Sequence, residues 1–281
     1  MNATAPHAQS HRQGADLHAH TNASDGELPP AGLIAAALAA GLAAVAVTDH
    51  DTTAGIPEAL EAANGSGLEV VPGVEISCDV SKGTCHVLGF FIDHDSPFLV
   101  EPLAFLRRRR TERAREIIER LAKFGMKITL PERPEHASVG RPHIAKALVD
   151  EGYVGSYDEA FHRFLADGRP AFVPSPRLLP AEAFEMIMRA GGVPVLAHPH
   201  TYSDPAMIRV LAGQGLCGIE ACYGTYSDDT VTRWRELAAE LNLVSTAGSD
   251  FHGASRPNRQ LGMVRMDAAD LEKLRTKRRP I

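Results

Sequence analysis

Short apolar runs alternate with segments of helical hydrophobic spacing along most of the chain. This alternation is typical of an α/β fold with parallel strands, and it predicts a barrel or a closed sheet. The predicted strands lie near 14–18, 43–48, 68–75, 84–92, 193–197, 216–221 and 243–248. The predicted helices lie near 30–40, 54–64, 204–213, 228–241 and 268–276. Pro30 at the start of the first helix and Gly41 just after its end agree with the usual helix boundaries.

The alternation stops between about 95 and 191 and resumes at Val193. Arginine-rich and helical segments replace it there. We therefore expect a helical cap at 96–191, inserted into a barrel formed by 14–95 and 192–281 and preceded by a flexible leader at 1–13. The cap helices are predicted from Pro97 to Phe124, Arg141 to Val149, Tyr157 to Leu165 and Pro180 to Arg189.

Composition narrows the class of protein. The 281 residues are 44% hydrophobic, enough for a substantial core, which excludes a long disordered protein. Lys and Arg total 29 against 35 Asp and Glu, and the net charge of −6 argues against a protein that coats nucleic acid by charge alone. The four cysteines show no CxxC spacing, so we expect reduced thiols and a cytoplasmic location. No signal peptide, membrane span or obligate protein partner is predicted.

Ionisable side chains follow the first two predicted strands. The first strand ends in Asp16-Leu17-His18-Ala19-His20, where alternation places His18 and His20 on the same side. Alone, such a pair is better explained as ordinary polar residues at a strand end. The second strand runs into Thr48-Asp49-His50-Asp51, at the carboxyl end where parallel barrels assemble their active sites.

Four further strands carry or lead into the same kinds of residue. Glu75 ends the third strand and His86 lies in the fourth, while later strands lead into His198-Pro199-His200 and Ser249-Asp250-Phe251-His252. Burying so many charged groups without partners would cost several kcal/mol each, and a shared cluster of cations removes that cost. Imidazole and carboxylate ligands without thiolates suit Mn²⁺, Fe²⁺, Zn²⁺ or Mg²⁺. The donor set cannot select among these metals, so the metal identity stays open at this point.

These motifs resemble the polymerase and histidinol phosphatase family, called PHP. The resemblance implies a distorted (β/α)7 barrel with a two- or three-metal centre at its C-terminal rim. With this family, Mn²⁺ is the first expectation for the divalent cations. By the family pattern the metal-binding positions would be His18, His20, Asp25, His50, Glu75, His86, His198, Asp250 and His252. Asp25 stands where some branches carry histidine. Ser24-Asp25-Gly26 together with Gly140-Arg141-Pro142-His143 resembles the branch of 3′,5′-nucleotide bisphosphate phosphatases and 5′-to-3′ exoribonucleases.

Residues of the predicted cap are candidates for binding phosphate. Arg141 and His143 lie at the start of a predicted helix, where free N–H groups favour anions, although Arg141 could instead pair with a surface carboxylate. The run Arg107 to Arg110, with Arg113 and Arg115, is interleaved with glutamates at helical spacing, so most of it is expected to be solvated while one arginine reaches the pocket.

The remaining candidates concern proton transfer and orientation. Asp49 is expected to orient a metal-bound histidine, or alternatively to cap a helix. His50, His198 and His252 are all candidates for protonating the leaving group.

The expected reaction is hydrolysis of a phosphate ester of a small nucleotide. Cations acidify bound water and stabilise the attacking and leaving oxygens. The leading hypothesis is removal of the 3′-phosphate from a nucleoside 3′,5′-bisphosphate such as 3′-phosphoadenosine 5′-phosphate. The alternatives are a 5′-to-3′ exoribonuclease acting on short RNA ends, a histidinol-phosphate or amide hydrolase, and an inactive metal-binding accessory module.

Overall fold

The computed structural model of the chain describes residues 13–80, 84–132, 134, 136–174, 178–202 and 205–278. The predicted leader at 1–13 lies outside these residues, apart from its last position. Seven strands form one sheet in chain order: β1 (Ala15–Asp16), β2 (Ala44–Val47), β3 (Glu69–Cys78), β4 (Cys85–Phe90), β5 (Val193–Leu196), β6 (Gly218–Tyr223) and β7 (Val244–Gly248).

The strands are parallel except for β4. Strand β4 pairs antiparallel with both β3 and β5, so the expectation of parallel strands throughout was wrong at this position. The physical reason is the short connection: β3 ends at Cys78 and β4 begins at Cys85, and a parallel crossover needs a dozen or more residues.

The two ends of the sheet meet. Leu17 N donates to Ala247 O at 3.0 Å, and Phe251 N donates to His18 O at 3.2 Å. These bonds join the segment after β1 to β7 and the loop that follows it. The sheet is therefore a nearly closed, distorted seven-strand barrel, as predicted.

Helices surround the barrel and bury its strands. They are α1 (Pro30–Ala39), α2 (Ile56–Ala63), α3 (Pro97–Ala122), α4 (Arg141–Asp150), α5 (Tyr157–Ala160), α6 (Pro180–Arg189), α7 (Pro205–Gly213), α8 (Asp228–Glu240) and α9 (Ala268–Thr276). Side chains such as Leu33 and Ile34 of α1 and Phe184 of α6 lie fully buried in the main core. Because helices cover the strands from outside, the short strands are apolar on both faces.

Helix α3 connects the barrel to a second hydrophobic cluster. Its Leu99 and Leu103 pack in the barrel core, whereas Ile117 and Leu121, further along, pack with residues of α4 and α5. The segment predicted as one helix from Tyr157 to Leu165 is α5 followed by a wider π-helical turn over Phe161–Leu165. One continuous helix thus contributes side chains to both the barrel core and this second cluster.

Among the residues described, no helix is both long enough and apolar enough to cross a bilayer.

Candidate metal centre

Side chains from six strands meet at one rim of the barrel. His18 and His20 follow β1, His50 follows β2, and Glu75 lies in β3. His198 follows β5, while Asp250 and His252 follow β7. His86 lies near the beginning of β4, and because β4 is antiparallel, its beginning lies where the other strands end.

The predicted metal-binding residues form overlapping groups. In each group the candidate ligand atoms lie within 4.8 Å of one another, and the groups are His20–Asp25–His50–His252, His18–His20–Glu75–Asp250 and His50–Glu75–His86. His198 adjoins the last group, with its Nε2 2.9 Å from Glu75 Oε1. The structure therefore brings together all nine residues predicted from the sequence.

Glu75 is at the centre of these groups. Its Oε2 lies 3.2 Å from His20 Nε2 and 3.2 Å from His50 Nδ1, and its Oε1 lies 2.7 Å from His86 Nδ1. His18 Nε2 is 3.3 Å from Oε2. Each oxygen thus faces a different set of imidazoles, which suits a carboxylate that bridges two cations.

The residues present fit divalent cations. Several buried ring nitrogens and one carboxylate oxygen have no hydrogen-bond partner, namely His18 Nε2, His20 Nε2, His50 Nδ1, His252 Nε2 and Asp25 Oδ1. Leaving such groups without hydrogen bonds costs about 1–3 kcal/mol each, and divalent cations bound among them would satisfy several at once. Imidazole and carboxylate donors are ligands of Mn²⁺, Fe²⁺ and Zn²⁺, and the donor set does not select one metal.

The charges of the cluster are matched to cation binding. Burial raises the pKa of Asp25, but His252 and His50 hold that pKa well below its usual range. Burial also raises the pKa of Glu75, and the surrounding imidazoles again lower it far more. Burial lowers the pKa of His50 well below its ordinary value, so its lone pair is available. The carboxylates of Asp25 and Glu75 and the neutral imidazole of His50 are therefore in the protonation states that bind a divalent cation.

Metal binding is expected to release protons. Burial lowers the pKa of His20, but Asp250 and Glu75 raise it to about 9, so His20 is protonated at neutral pH until a cation displaces the proton. The apparent affinity for Mn²⁺ should rise with pH until that pKa is passed. Calorimetry of Mn²⁺ binding in buffers of different ionisation enthalpy measures the released protons. An affinity that stays constant over this range would contradict the prediction.

Residues that the sequence analysis did not identify hold the ligands in place. Glu220 of β6 accepts from His18 Nδ1 at 2.9 Å and from His198 N at 2.6 Å. Its bond to Nδ1 leaves His18 Nε2 facing the cation groups. Asp250 Oδ2 accepts from Tyr223 Oη at 2.9 Å and from Arg259. A carboxylate inside the apolar strand Gly218–Tyr223 was the one available signal for Glu220.

Two ligand-bearing residues have left-handed backbone conformations. His198 has φ of 25° and Asp250 has φ of 53°, each just after a strand. Such conformations are costly for residues other than glycine and are concentrated at functional sites. They turn the chain sharply, so that the side chains face the rim instead of continuing along the strand.

Asp49 does not orient a histidine directly. It is buried and accepts from Thr21 N at 2.8 Å, Thr21 Oγ1 at 2.7 Å and Ser24 Oγ at 2.5 Å. Ser24 Oγ in turn lies 3.4 Å from His20 Nδ1. Helix α2 begins at Ile56, so Asp49 is not its cap either. Both expectations for Asp49 are corrected: it fixes the Thr21–Ser24 turn that precedes Asp25.

The two residues expected to bind phosphate line the cavity but have protein partners. Arg141 Nη1 lies 3.2 Å from Leu165 O and 3.2 Å from Asp167 Oδ1, as in the alternative interpretation of this residue. His143 Nδ1 accepts from Gly140 N at 3.0 Å, and its Nε2 donates to Ser24 O at 2.9 Å. His143 thus joins the cap to the turn before Asp25.

The arginine run was predicted to send one member to the pocket, whereas two of its members, Arg110 and Arg113, line the cavity. Arg109 pairs with Glu112 on the helix surface, whereas Arg110 reaches the rim and bonds to Asp51 and to Ser77 Oγ. The cavity between cap and rim has a volume of about 260 Å³. It is lined by metal-binding candidates from below and by Arg110, Arg141 and His143 from above.

Known proteins resemble this chain over nearly its whole length. The PHP domain family matches residues 16–100. A 3′,5′-nucleoside bisphosphate phosphatase of Chromobacterium violaceum is 34% identical over 258 residues, which cover 88% of this chain and 90% of that protein. The 5′-3′ exoribonuclease Rnm of Escherichia coli is 36% identical over 247 residues, which cover 84% of each protein.

Structural comparison gives the same result. The solved structure of a Bifidobacterium adolescentis protein, suggested to be a metal-dependent phosphoesterase, is 32% identical and superposes with a TM-score of 0.87. The alignment covers 96% of this chain and 98% of that one. The resemblance inferred from the four sequence motifs is confirmed, and the chain belongs to the PHP family of metal-dependent phosphoesterases.

Proposed function

We propose that the protein removes the 3′-phosphate from nucleoside 3′,5′-bisphosphates, such as 3′-phosphoadenosine 5′-phosphate, and releases the 5′-monophosphate. The observation that carries this proposal is the position of the ligand cluster, at the floor of a cavity that is also lined by arginines. A floor for cations and walls of guanidinium groups together suit a small, highly anionic ligand. The phosphatase of Chromobacterium violaceum, whose name specifies this substrate class, supports the choice.

The chain's residues would perform distinct parts of the reaction. The nine ligand candidates hold two or three cations, for which we propose Mn²⁺. Bound cations of this kind supply acidified water and neutralise charge on the phosphoryl oxygens. Glu220 and Tyr223, through their hydrogen bonds to His18 and Asp250, keep these two ligand candidates oriented. In the reaction a water oxygen bonds to phosphorus, the bond from phosphorus to the 3′ oxygen breaks, and that oxygen takes up a proton.

The proton donor is proposed to be one of the cavity histidines. His50, His198 and His252 all line the cavity. His198 has its Nδ1 3.2 Å from Thr201 Oγ1, and its Nε2 faces Glu75. A histidine can protonate the leaving oxygen only through a nitrogen that no cation holds.

The four cysteines, which form no disulfide, accord with the cytoplasmic location that we propose.

A substrate panel tests the proposed function. With Mn²⁺ present, the purified protein should release one phosphate from 3′-phosphoadenosine 5′-phosphate and produce AMP, with a higher kcat/KM than for adenosine 3′-monophosphate or p-nitrophenyl phosphate. Equal rates on all three esters would reject the bisphosphate assignment. Retained metal without hydrolysis of any ester would indicate an inactive accessory module.

A second candidate is 5′-to-3′ exoribonuclease activity on short RNA. It is favoured by the Escherichia coli exoribonuclease, which matches this chain at 36% identity over most of both lengths. A 5′-phosphorylated, labelled oligoribonucleotide distinguishes the candidates. Stepwise release of mononucleotides would support the exoribonuclease activity. An oligonucleotide that stays intact would exclude it and favour the phosphatase activity.

A further inference from the structure

One arginine of the cavity differs from the others in its contacts. Four cavity arginines have close protein partners: Arg110 at Asp51, Arg113 at Val173 O, Arg141 at Leu165 O and Arg259 at Asp250. Within the part of the chain that the structure describes, Arg256 has only long contacts, with Nη2 3.9 Å from Asp25 Oδ2 and Nη1 3.4 Å from His252 Nδ1. That ring nitrogen lies 2.8 Å from Asp250 O, to which it donates. The guanidinium of Arg256 therefore has its hydrogen-bonding capacity largely available.

The loop that carries Arg256 is held in a fixed shape. Glu27 accepts from Ala254 N at 2.9 Å and from Ser255 N at 3.0 Å. Gly253 has φ of +115°, and a Cβ there would lie 2.6 Å from Glu27 Oε2, so this close approach requires glycine. An arginine on an anchored loop loses little further freedom when it binds a ligand.

Arg256 lies where the cavity continues beyond the candidate metal ligands. Arg256 is beside Asp25 and His252. Arg110 instead lies near His86, in a different group of candidate ligands, where burial lowers the pKa of His86 and the charge of Arg110 helps to lower it. Asp25, His143 and Arg256 line both the central cavity and an adjoining one of about 440 Å³. A ligand with one phosphate at the cations can therefore place a second anionic group near Arg256.

We propose that Arg256 binds the phosphate that is not cleaved and so determines the preference for bisphosphates over monophosphates. This inference rests on the proposed function. A guanidinium can donate two parallel hydrogen bonds to phosphate oxygens. The other four cavity arginines already donate to protein groups at close distance. Its role is to select the substrate, and it takes no part in transferring the phosphoryl group.

The substitution Arg256→Gln tests the proposal. The ratio of kcat/KM for 3′-phosphoadenosine 5′-phosphate to that for adenosine 3′-monophosphate should fall ~10–100-fold, mainly through KM, because a charge-assisted bond is lost for one substrate only. Arg256→Lys should recover part of the ratio. Arg233→Gln, on the exposed face of α8, is the matched control and should leave the ratio unchanged.

Binding measurements separate this proposal from the proposed function. AMP, which retains only the uncleaved phosphate, should bind the Arg256→Gln protein ~10–100-fold more weakly, while metal content and the affinity for inorganic phosphate stay near the wild-type values. Unchanged AMP affinity would overturn the role of Arg256 even if the wild type prefers bisphosphates. Equal weakening of inorganic phosphate would overturn it too, because Arg256 would then act at the cations. A wild type without substrate preference would instead reject the proposed function.

Discussion

Replacing Glu75 by Gln is expected to lower kcat on the order of 10³-fold and to reduce the bound metal content. Glu75 is buried, and its two oxygens face His18, His20 and His50 on one side and His86 and His198 on the other. Glutamine keeps the size but removes the charge, so it would hold cations on its two sides much more weakly. Losing one preorganised electrostatic group typically costs 10²–10³-fold, and here two cation positions are weakened together.

Metal analysis and steady-state kinetics on the same preparation test this prediction. Glu61→Gln, an exposed carboxylate on α2, makes the same chemical change away from the rim and should have no effect. The Glu75→Gln protein should also keep its secondary structure, because a neutral side chain in this position still fits among the imidazoles. Full activity with normal metal content would show that the cations are held without Glu75.

The ligands could be predicted because their signal is local in the sequence. His18 and His50 follow short apolar strands, and a strand end fixes where its side chains lie. The same local logic located most helices within a few residues of their observed ends. Pro180–Arg189 and Ala268–Thr276 match their predicted bounds.

The reversal of β4 shows what strand patterns leave undetermined. An apolar run has the same pattern in either direction, so only the short connection from Cys78 to Cys85 carried the information. The placement of His86 at the rim was right although the direction of its strand was not. The prediction for His86 held because β4 runs antiparallel to its neighbours and His86 lies near its beginning, which is at the same rim as the ends of the other strands.

The supporting residues could not be predicted, because their partners are distant in sequence. Glu220 and His18 are 202 residues apart, and Arg259 follows β7 in an irregular loop without a motif. Arg141 illustrates the opposite error. A helix N-terminus favours anions by local geometry, but the acceptors of Arg141, Leu165 O and Asp167, are supplied by a later segment. Contacts with residues distant in sequence thus decide which arginine side chain remains available to bind a ligand.

Replacing Gly248 by Ala is expected to disrupt the metal centre by steric contact alone. A Cβ on Gly248 would lie 2.3 Å from His18 Cβ and 2.4 Å from Glu220 Oε1. These are the two residues whose hydrogen bond orients His18, and both are buried, so neither can move away freely. We expect destabilisation of about 1–3 kcal/mol, as for other overpacked cores, and a ~10–100-fold loss of metal affinity.

The matched control is Gly213→Ala, at the end of α7, where a Cβ meets no atom within 4 Å. Alanine there should be neutral or slightly stabilising, since it restricts the unfolded chain without a clash. Circular dichroism, thermal unfolding and metal titration on both variants separate global unfolding from local displacement of His18. If Gly248→Ala bound cations as tightly as the wild type, the contact between β7, His18 and Glu220 would not be what positions the ligand. A variant that stays folded but loses its cations would show that one added methyl group prevents metal binding by displacing Glu220 from His18.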